Sequence, residues 1–187
     1  MHRISLKRIE LIIMDKITWK TKAFKDLTVD EYFEIIFLRT EIFVVEQDCP
    51  YQEVDEKDRQ SFHLFGRAEN REVVAVTRVL PQGVSYDEVS IGRVALKKAY
   101  RGQGIADTLM IESFKFVKKE FGEVPIRISA QKYLLNYYNK HGFNQVGDMY
   151  LVCLHPNNKN NTYIKIKCAD LSEEVAMLFD LRRTMLN

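Results

Sequence analysis

The sequence predicts a single α/β (α+β) domain of about seven strands flanked by helices. Three observations carry this. Runs of strand period and runs of helical period follow one another in the order β-α-β-β-β-α-β-α-β-β. Two of the strand-like runs, Ser61–Ala68 and Val73–Leu80, are joined only by Glu69-Asn70-Arg71-Glu72, which makes them an antiparallel pair. Thr28-Val29-Asp30-Glu31 has the spacing of a capping box and marks where the first helix starts.

Taken in order, Ile17-Thr18-Trp19-Lys20-Thr21 alternates and is β-branched, as a first strand would be. The helix after Thr28 has Tyr32, Ile35, Ile36 and Phe43 on its apolar face and runs to about Val45 or Glu46. Residues 47–60, with Pro50 and many charges, carry neither period and read as a loop or short irregular helix. After the hairpin, Pro81-Gln82-Gly83 breaks the chain, and Glu88–Leu96 reads as a longer strand with Gly92 in its interior, where bulges are common. Helix returns after Gly104, with Ala106, Met110, Val117 and Phe121 on one side and Lys115, Lys118 and Lys119 exposed.

Ile126–Ala130 is a short strand, Lys132–His141 an aromatic helix stopped by Gly142, and Phe143–Leu154 and Thr162–Lys167 are closing strands around the polar tip Asn157–Asn161. Leu171–Leu186 reads as an amphipathic terminal helix on Val175, Leu178, Phe179 and Leu186, capped by Asp170 or Ser172. Residues 1–13 read as an extension ahead of the domain, which is expected to span 1–187 without a dividing linker.

Composition narrows the function classes. With 28 basic against 26 acidic residues, the net charge of +2 creates no global field to gather nucleic acid or an anionic membrane. The apolar run Leu11-Ile12-Ile13-Met14 is too short for an export core, and no stretch approaches the roughly 20 apolar residues of a membrane helix. The expectation is a cytoplasmic protein. Cys49, Cys153 and Cys168 form no CxxC pair and match no metal-ligand spacing, so they read as thiols of a reducing compartment, and no metal is expected.

The segment Tyr100-Arg101-Gly102-Gln103-Gly104-Ile105-Ala106 lies between a strand and a helix, with glycines where the backbone turns. Such a turn points successive N–H groups into one concavity at the positive end of the helix, which suits a pyrophosphate. It is not a dinucleotide fingerprint, because Asp107 stands where the third glycine belongs, and not a nucleotide P-loop, because no Lys with Ser or Thr follows Gly104. By itself a glycine turn joining a strand to a helix remains the rival reading.

Arg101, Gly104 and Ala106 match the loop of the GNAT acetyltransferases, a Gln or Arg followed after two residues by Gly and then, one further on, by Gly or Ala. Tyr138-Asn139-Lys140-His141-Gly142-Phe143 is similar to the superfamily's Tyr-x-x-x-Gly-Phe ending, and the element order is the GNAT order. Phe43–Gln47, Cys49–Asp55, Ser90–Val94 and Ser129-Ala130-Gln131 resemble the ElaA-like branch in particular. Together the likeness covers about residues 16–153.

The resemblance implies a mixed, mostly antiparallel, twisted central sheet, with the terminal helix as an addition, and acetyl-coenzyme A as co-substrate. Val94, Ala95 and Leu96 stand where the family's splayed fourth strand binds pantetheine as if it were an added strand. Gly102, Gln103, Gly104, Ile105 and Ala106, with Arg101, would hold the pyrophosphate, and Gln131 would reach the cofactor from the helix side. The acceptor would be an amine on a small molecule or peptide, and homodimer contacts are a further expectation.

Acetyl transfer from a thioester to an amine needs a neutral amine, a donor for the developing oxyanion and a proton for the departing thiolate. A backbone N–H at or near Leu96 is the expected oxyanion donor. Tyr138 is the expected acid, since a phenol keeps its proton at a pKa above that of a thiol and can protonate the thiolate when held close to sulfur, and aromatic packing beside Tyr133 and Tyr137 is its alternative role. For the base, Glu46 and His63 stand as candidates, against a solvated glutamate and a structural histidine. Glu53, Asp55 and Asp58 form either an acidic cluster favouring a cationic amine or a charged surface loop. Cys49 reads as structural or incidental. A coenzyme A-binding module without turnover, and a transferase for a longer acyl chain, are the competing functions.

Overall fold

The computed structural model describes residues 17–151 and 162–168. The extension at 1–13, the tip Asn157–Asn161 and the terminal helix at 171–186 lie outside the described residues. After β1 (Thr18–Ala23), Thr28 caps α1 (Val29–Thr40) as its spacing predicts. The Glu31 N–H donates to Thr28 Oγ1 at 3.1 Å and the Thr28 N–H donates to Glu31 Oε2 at 3.0 Å. The helix continues to Glu46, but its last turns, Glu41–Glu46, widen into a π-helix, a form often found at functional sites.

Ile35 and Leu38 of α1, with Ile42 of the π-helix, pack against Phe65, Val73, Val76 and Ala95. Each such fully buried side chain is worth about 1.5–3 kcal/mol. The stripe differs from the expected one: Tyr32 and Ile36 are half-buried, Leu38 and Arg39 are buried, and Phe33 and Phe37 are exposed.

Strands β2 (Phe62–Arg67), β3 (Val73–Leu80) and β4 (Val89–Leu96) follow, then α2 (Ile105–Phe121), β5 (Ile126–Gln131), the short α3 (Leu135–Asn139), β6 (Asn144–Gln145), β7 (Tyr150–Leu151) and β8 (Thr162–Cys168). The sheet order is β1-β2-β3-β4-β5-β8-β6, with β7 on β8, and β4–β5 is its parallel pairing. Successive residues of a strand point to opposite faces. Phe65 therefore meets α1 while Leu64 packs with Ile105 and Leu109 of α2, so the two helices cover opposite faces.

Two irregularities shape the middle of the sheet. Val76 faces Ala95 and Arg78 faces Gly92, so Thr77 alone opposes Arg93 and Val94, and Arg93 takes φ 52°. This is a β-bulge, and its extra residue turns the rest of β4. Pairing with β5 then stops after Val89–Ile126 and Ser90–Arg127, and the strands part.

The expected strand Phe143–Leu154 is interrupted. Gln145 faces Ile166 and Tyr150 faces Tyr163, so five steps on one side match three on the other. The surplus is taken up in a turn at Gly147, whose φ of 75° suits glycine. Alternation in sequence does not reveal such a bulge, because the flanking residues keep their strand character.

Candidate active site

The parted strands open a cavity of about 680 Å³ that extends from Arg101 and Gly102 at one end to Lys57, Ser85 and Tyr86 at the other. Lys97 directs its N–H to Val74 O at 2.8 Å, across to β3. Alternation along an extended strand then turns the N–H groups of Leu96 and Val94 away from β3, toward the gap left by β5. The Leu96 carbonyl, on that same side, accepts from Arg101 Nε at 3.0 Å.

At one end of the cavity, Gly102 and Gly104 take φ of 74° and 76°, a left-handed conformation that L side chains rarely adopt. Gly104 is the N-cap of α2, and no side chain caps that end. The first-turn N–H groups of a helix have no intrahelical acceptor. The loop therefore presents Gly102, Gln103, Gly104, Ile105 and Ala106 as a ready anion site on a 17-residue helix. Gln103 turns its side chain back, donating to Ala99 O at 2.9 Å, so its part in the nest is confined to its backbone.

Glu46 and Arg101 join as a bidentate pair, with Nη1 donating at 2.6 Å and Nη2 at 2.8 Å. The pair brings the end of the π-helix to the glycine loop. Gln131, at the end of β5, donates to Gln47 Oε1 at 3.0 Å and closes the cavity wall between the same π-helix and the sheet.

Tyr138 lies on α3, lines the cavity and is only 4% exposed. Its carbonyl accepts from the N–H groups of His141 and Phe143, and Gly142 at φ 79° ends the turn, which explains the glycine four residues on. Burial, and to a lesser degree Tyr133 and Tyr163, push its phenol well above the ordinary tyrosine range, so it is neutral at physiological pH.

His63 is not among the residues that line this cavity, and its surroundings are those of a structural histidine. It is 1% exposed, its Nε2 lies 2.9 Å from Ser61 Oγ, and the rings of Phe24 and Tyr32 pack against it. Burial lowers its pKa to about 4, which makes it a neutral core residue.

The acidic cluster is also not what its composition suggests. Arg39, 1% exposed, donates through Nε to Glu53 at 2.6 Å and through Nη1 to Asp58 at 2.7 Å. Arg78 donates to Asp55 at 2.6 Å and to Asp58 at 2.9 Å, and Arg93 donates to Glu53 Oε1 at 3.0 Å. Burial alone would raise the Asp58 carboxyl, but Arg39 and Arg78 outweigh it and hold the group at about 2. Three arginines thus consume three carboxylates. Sequence reading missed these arginines because a lone Arg on a helix or strand gives no periodic signal of burial. Cys49, on the cavity wall, is disulfide-bonded, which corrects the reading of three thiols, while Cys168 is a buried thiol.

A sheet split between β4 and β5 beside a glycine nest on a helix end defines an acyl-coenzyme A transferase architecture. The chain matches the family model of the acetyltransferase (GNAT) domain over residues 30–152, and it belongs to that family. Within it, the chain is similar to a UPF0039 protein of Synechocystis, 38% identical over 135 residues, covering 72% of this chain and 88% of that protein. Protein ElaA of Escherichia coli is 33% identical over 136 residues, covering 72% and 88%, and its crystal structure superimposes with a TM-score of 0.72 over 81% of this chain and 98% of that one. An acyl-CoA N-acyltransferase structure from Pseudomonas aeruginosa gives a TM-score of 0.75 at 35% identity, covering 82% and 99%. Among the described residues no helix is long and apolar enough to cross a membrane, and no group of three potential metal ligands occurs.

Proposed function

We propose that this chain moves an acetyl group from acetyl-CoA to a primary amine, on a small molecule or peptide, by direct attack in a ternary complex. The observation that carries the reading is the parting of β4 from β5 after Ser90, which opens toward both the glycine nest and the buried Tyr138. The residues present suit coenzyme A. Gap-side amides of Val94 and Leu96 match an extended pantetheine arm added as a strand, and the nest with Arg101 matches a pyrophosphate. When bound, the thioester supplies an activated acyl group.

On the protein's side, the Leu96 N–H is the donor for the oxyanion, pre-oriented by the strand and requiring no rearrangement. Tyr138, held neutral by burial, gives its proton to the thiolate. Glu46 acts as a positioning residue for Arg101, since both of its oxygens already accept from that guanidinium. The amine then loses its proton to water, and the Tyr138 phenolate takes one back before the next turnover.

A longer acyl group is the second reading. A Cβ built at Gly92, on the cavity wall, meets nothing within 4 Å, so the strand leaves room there. The test is thiol release from acetyl-, propionyl- and butyryl-CoA across a panel of primary amines. Acetyl-CoA is expected to be used fastest with at least one amine. Binding of acetyl-CoA with no thiol release from any pair would instead make the chain a non-catalytic module.

A further inference from the structure

The far end of the cavity, opposite the glycine nest, holds a charge that is unmatched among the described residues. Four cationic and two anionic side chains line the cavity. Arg78 is paired with Asp55 and Asp58, Arg93 with Glu53 and Asp55, and Arg101 with Glu46. Lys57, half-buried on the 3-10 helix Glu56–Gln60, forms no ion pair among the described residues, and its Nζ donates to Ser85 Oγ at 2.9 Å. Of the lining side chains and their buried partners Glu53, Asp58 and Arg39, every charged group but Lys57 has an opposite charge beside it among the described residues.

The aromatic surfaces here are occupied in the same sense. The Arg93 guanidinium lies 5.9 Å from the centre of the Tyr51 ring, and that of Arg127 lies 5.3 Å from the Tyr86 ring. A cationic acceptor at this end would therefore meet no spare carboxylate among the lining side chains, and like charge would repel it at Lys57. An oxyanion there would gain a charge-assisted hydrogen bond from the ammonium and a second from the Ser85 hydroxyl.

We infer that Lys57 and Ser85 form an anion-recognising subsite, and that the acceptor is a small primary amine which also carries a carboxylate or phosphate, of the amino-acid type. This rests on the transferase reading and names the substrate class of the same site. It runs against the reading of Glu53, Asp55 and Asp58 as a cluster that favours a cationic amine.

Matched amines test it: lysine against 1,5-diaminopentane, β-alanine against ethylamine, and phosphoethanolamine against ethanolamine, each with acetyl-CoA. The anionic member is expected to have a kcat/KM roughly tenfold to a hundredfold higher, as for one charge-assisted contact. Whether lysine and β-alanine or phosphoethanolamine leads separates carboxylate from phosphate. Lys57→Met should raise KM for the anionic members by a similar factor, Lys57→Arg should restore part of it, and Lys57→Glu should favour the diamine. The acetyl-CoA-induced rise in melting temperature serves as the folding and cofactor control. Turnover without preference for anionic members, or an unchanged KM in Lys57→Met, overturns the subsite while leaving the transferase reading standing. If no amine is turned over, calorimetric titration of N-acetyl-β-alanine in the presence of coenzyme A decides. Binding that Lys57→Met weakens sustains the subsite, and no binding to the native chain overturns it.

Discussion

Arg93 and Glu53 meet at the bulge of β4: Arg93 Nε lies 2.9 Å from Glu53 Oε2, and Arg93 itself stands in the left-handed region at φ 52°. That conformation is unfavourable for an L residue with a side chain and persists only where its surroundings hold it. Glu53 does so while also accepting from Arg39, so one buried carboxylate links α1, the loop after it and the point where the active-site strand turns.

Glu53→Gln should therefore destabilise the fold by about 3–5 kcal/mol, because it leaves two guanidinium groups without a shared anion. Urea unfolding at neutral pH would measure it. A loss below 1 kcal/mol would show that the network relaxes around the change.

Gly104→Glu should abolish the rise in melting temperature caused by acetyl-CoA. The substitution brings a negative charge into the nest and a side chain to a position at φ 76°. The relevant comparison is each protein with and without ligand, since only the folded state binds. A folded variant with an undiminished shift would remove the cofactor assignment.

For Tyr138→Phe the ring and its packing stay and only the proton is lost. The expected outcome is a kcat roughly tenfold to a thousandfold lower with acetyl-CoA affinity little changed. Full activity would return Tyr138 to a packing role beside Phe143, whose ring centre is 5.9 Å away.

Replacing Glu46 by Gln separates two roles. As a positioning residue it should raise KM for acetyl-CoA several-fold with kcat preserved, because Arg101 loses its bidentate partner. A collapse of kcat with unchanged KM, and loss of the acid limb of the pH profile, would make Glu46 the base instead.

His63 ties stability to pH. Its pKa falls from an ordinary 6.5 to about 4 on folding, so between these values the unfolded chain binds the extra proton. Stability is then full above the unfolded pKa and declines as pH falls toward the folded one, a loss of about 2 kcal/mol from this group between pH 8 and pH 5. In His63→Gln that part of the pH dependence should disappear, as read from urea midpoints at the two pH values. An identical slope in both proteins would mean that the histidine is not neutral in the core.

Local features were legible before any fold was known. The Thr28–Glu31 cap, the hairpin Ser61–Leu80, the glycine nest and the Tyr138–Phe143 turn each depend on residues a few positions apart, and their side chains and φ requirements stand next to one another in the chain. Pairings across long separations depend instead on where the sheet and helices bring the chain together. Arg39 reaches Glu53 across 14 positions and Arg93 reaches it across 40, and no period or composition encodes which cation meets which carboxylate. The same reason explains why the sequence leaves His63 open between a base and a structural histidine, and the acidic loop between a lure for cations and a charged surface. Charge and polarity are properties of a residue, whereas whether they face solvent, a substrate or a buried partner is decided by packing. Only the folded sheet seals His63 in the core and leaves Lys57, among the described residues, as the cavity's unmatched charge.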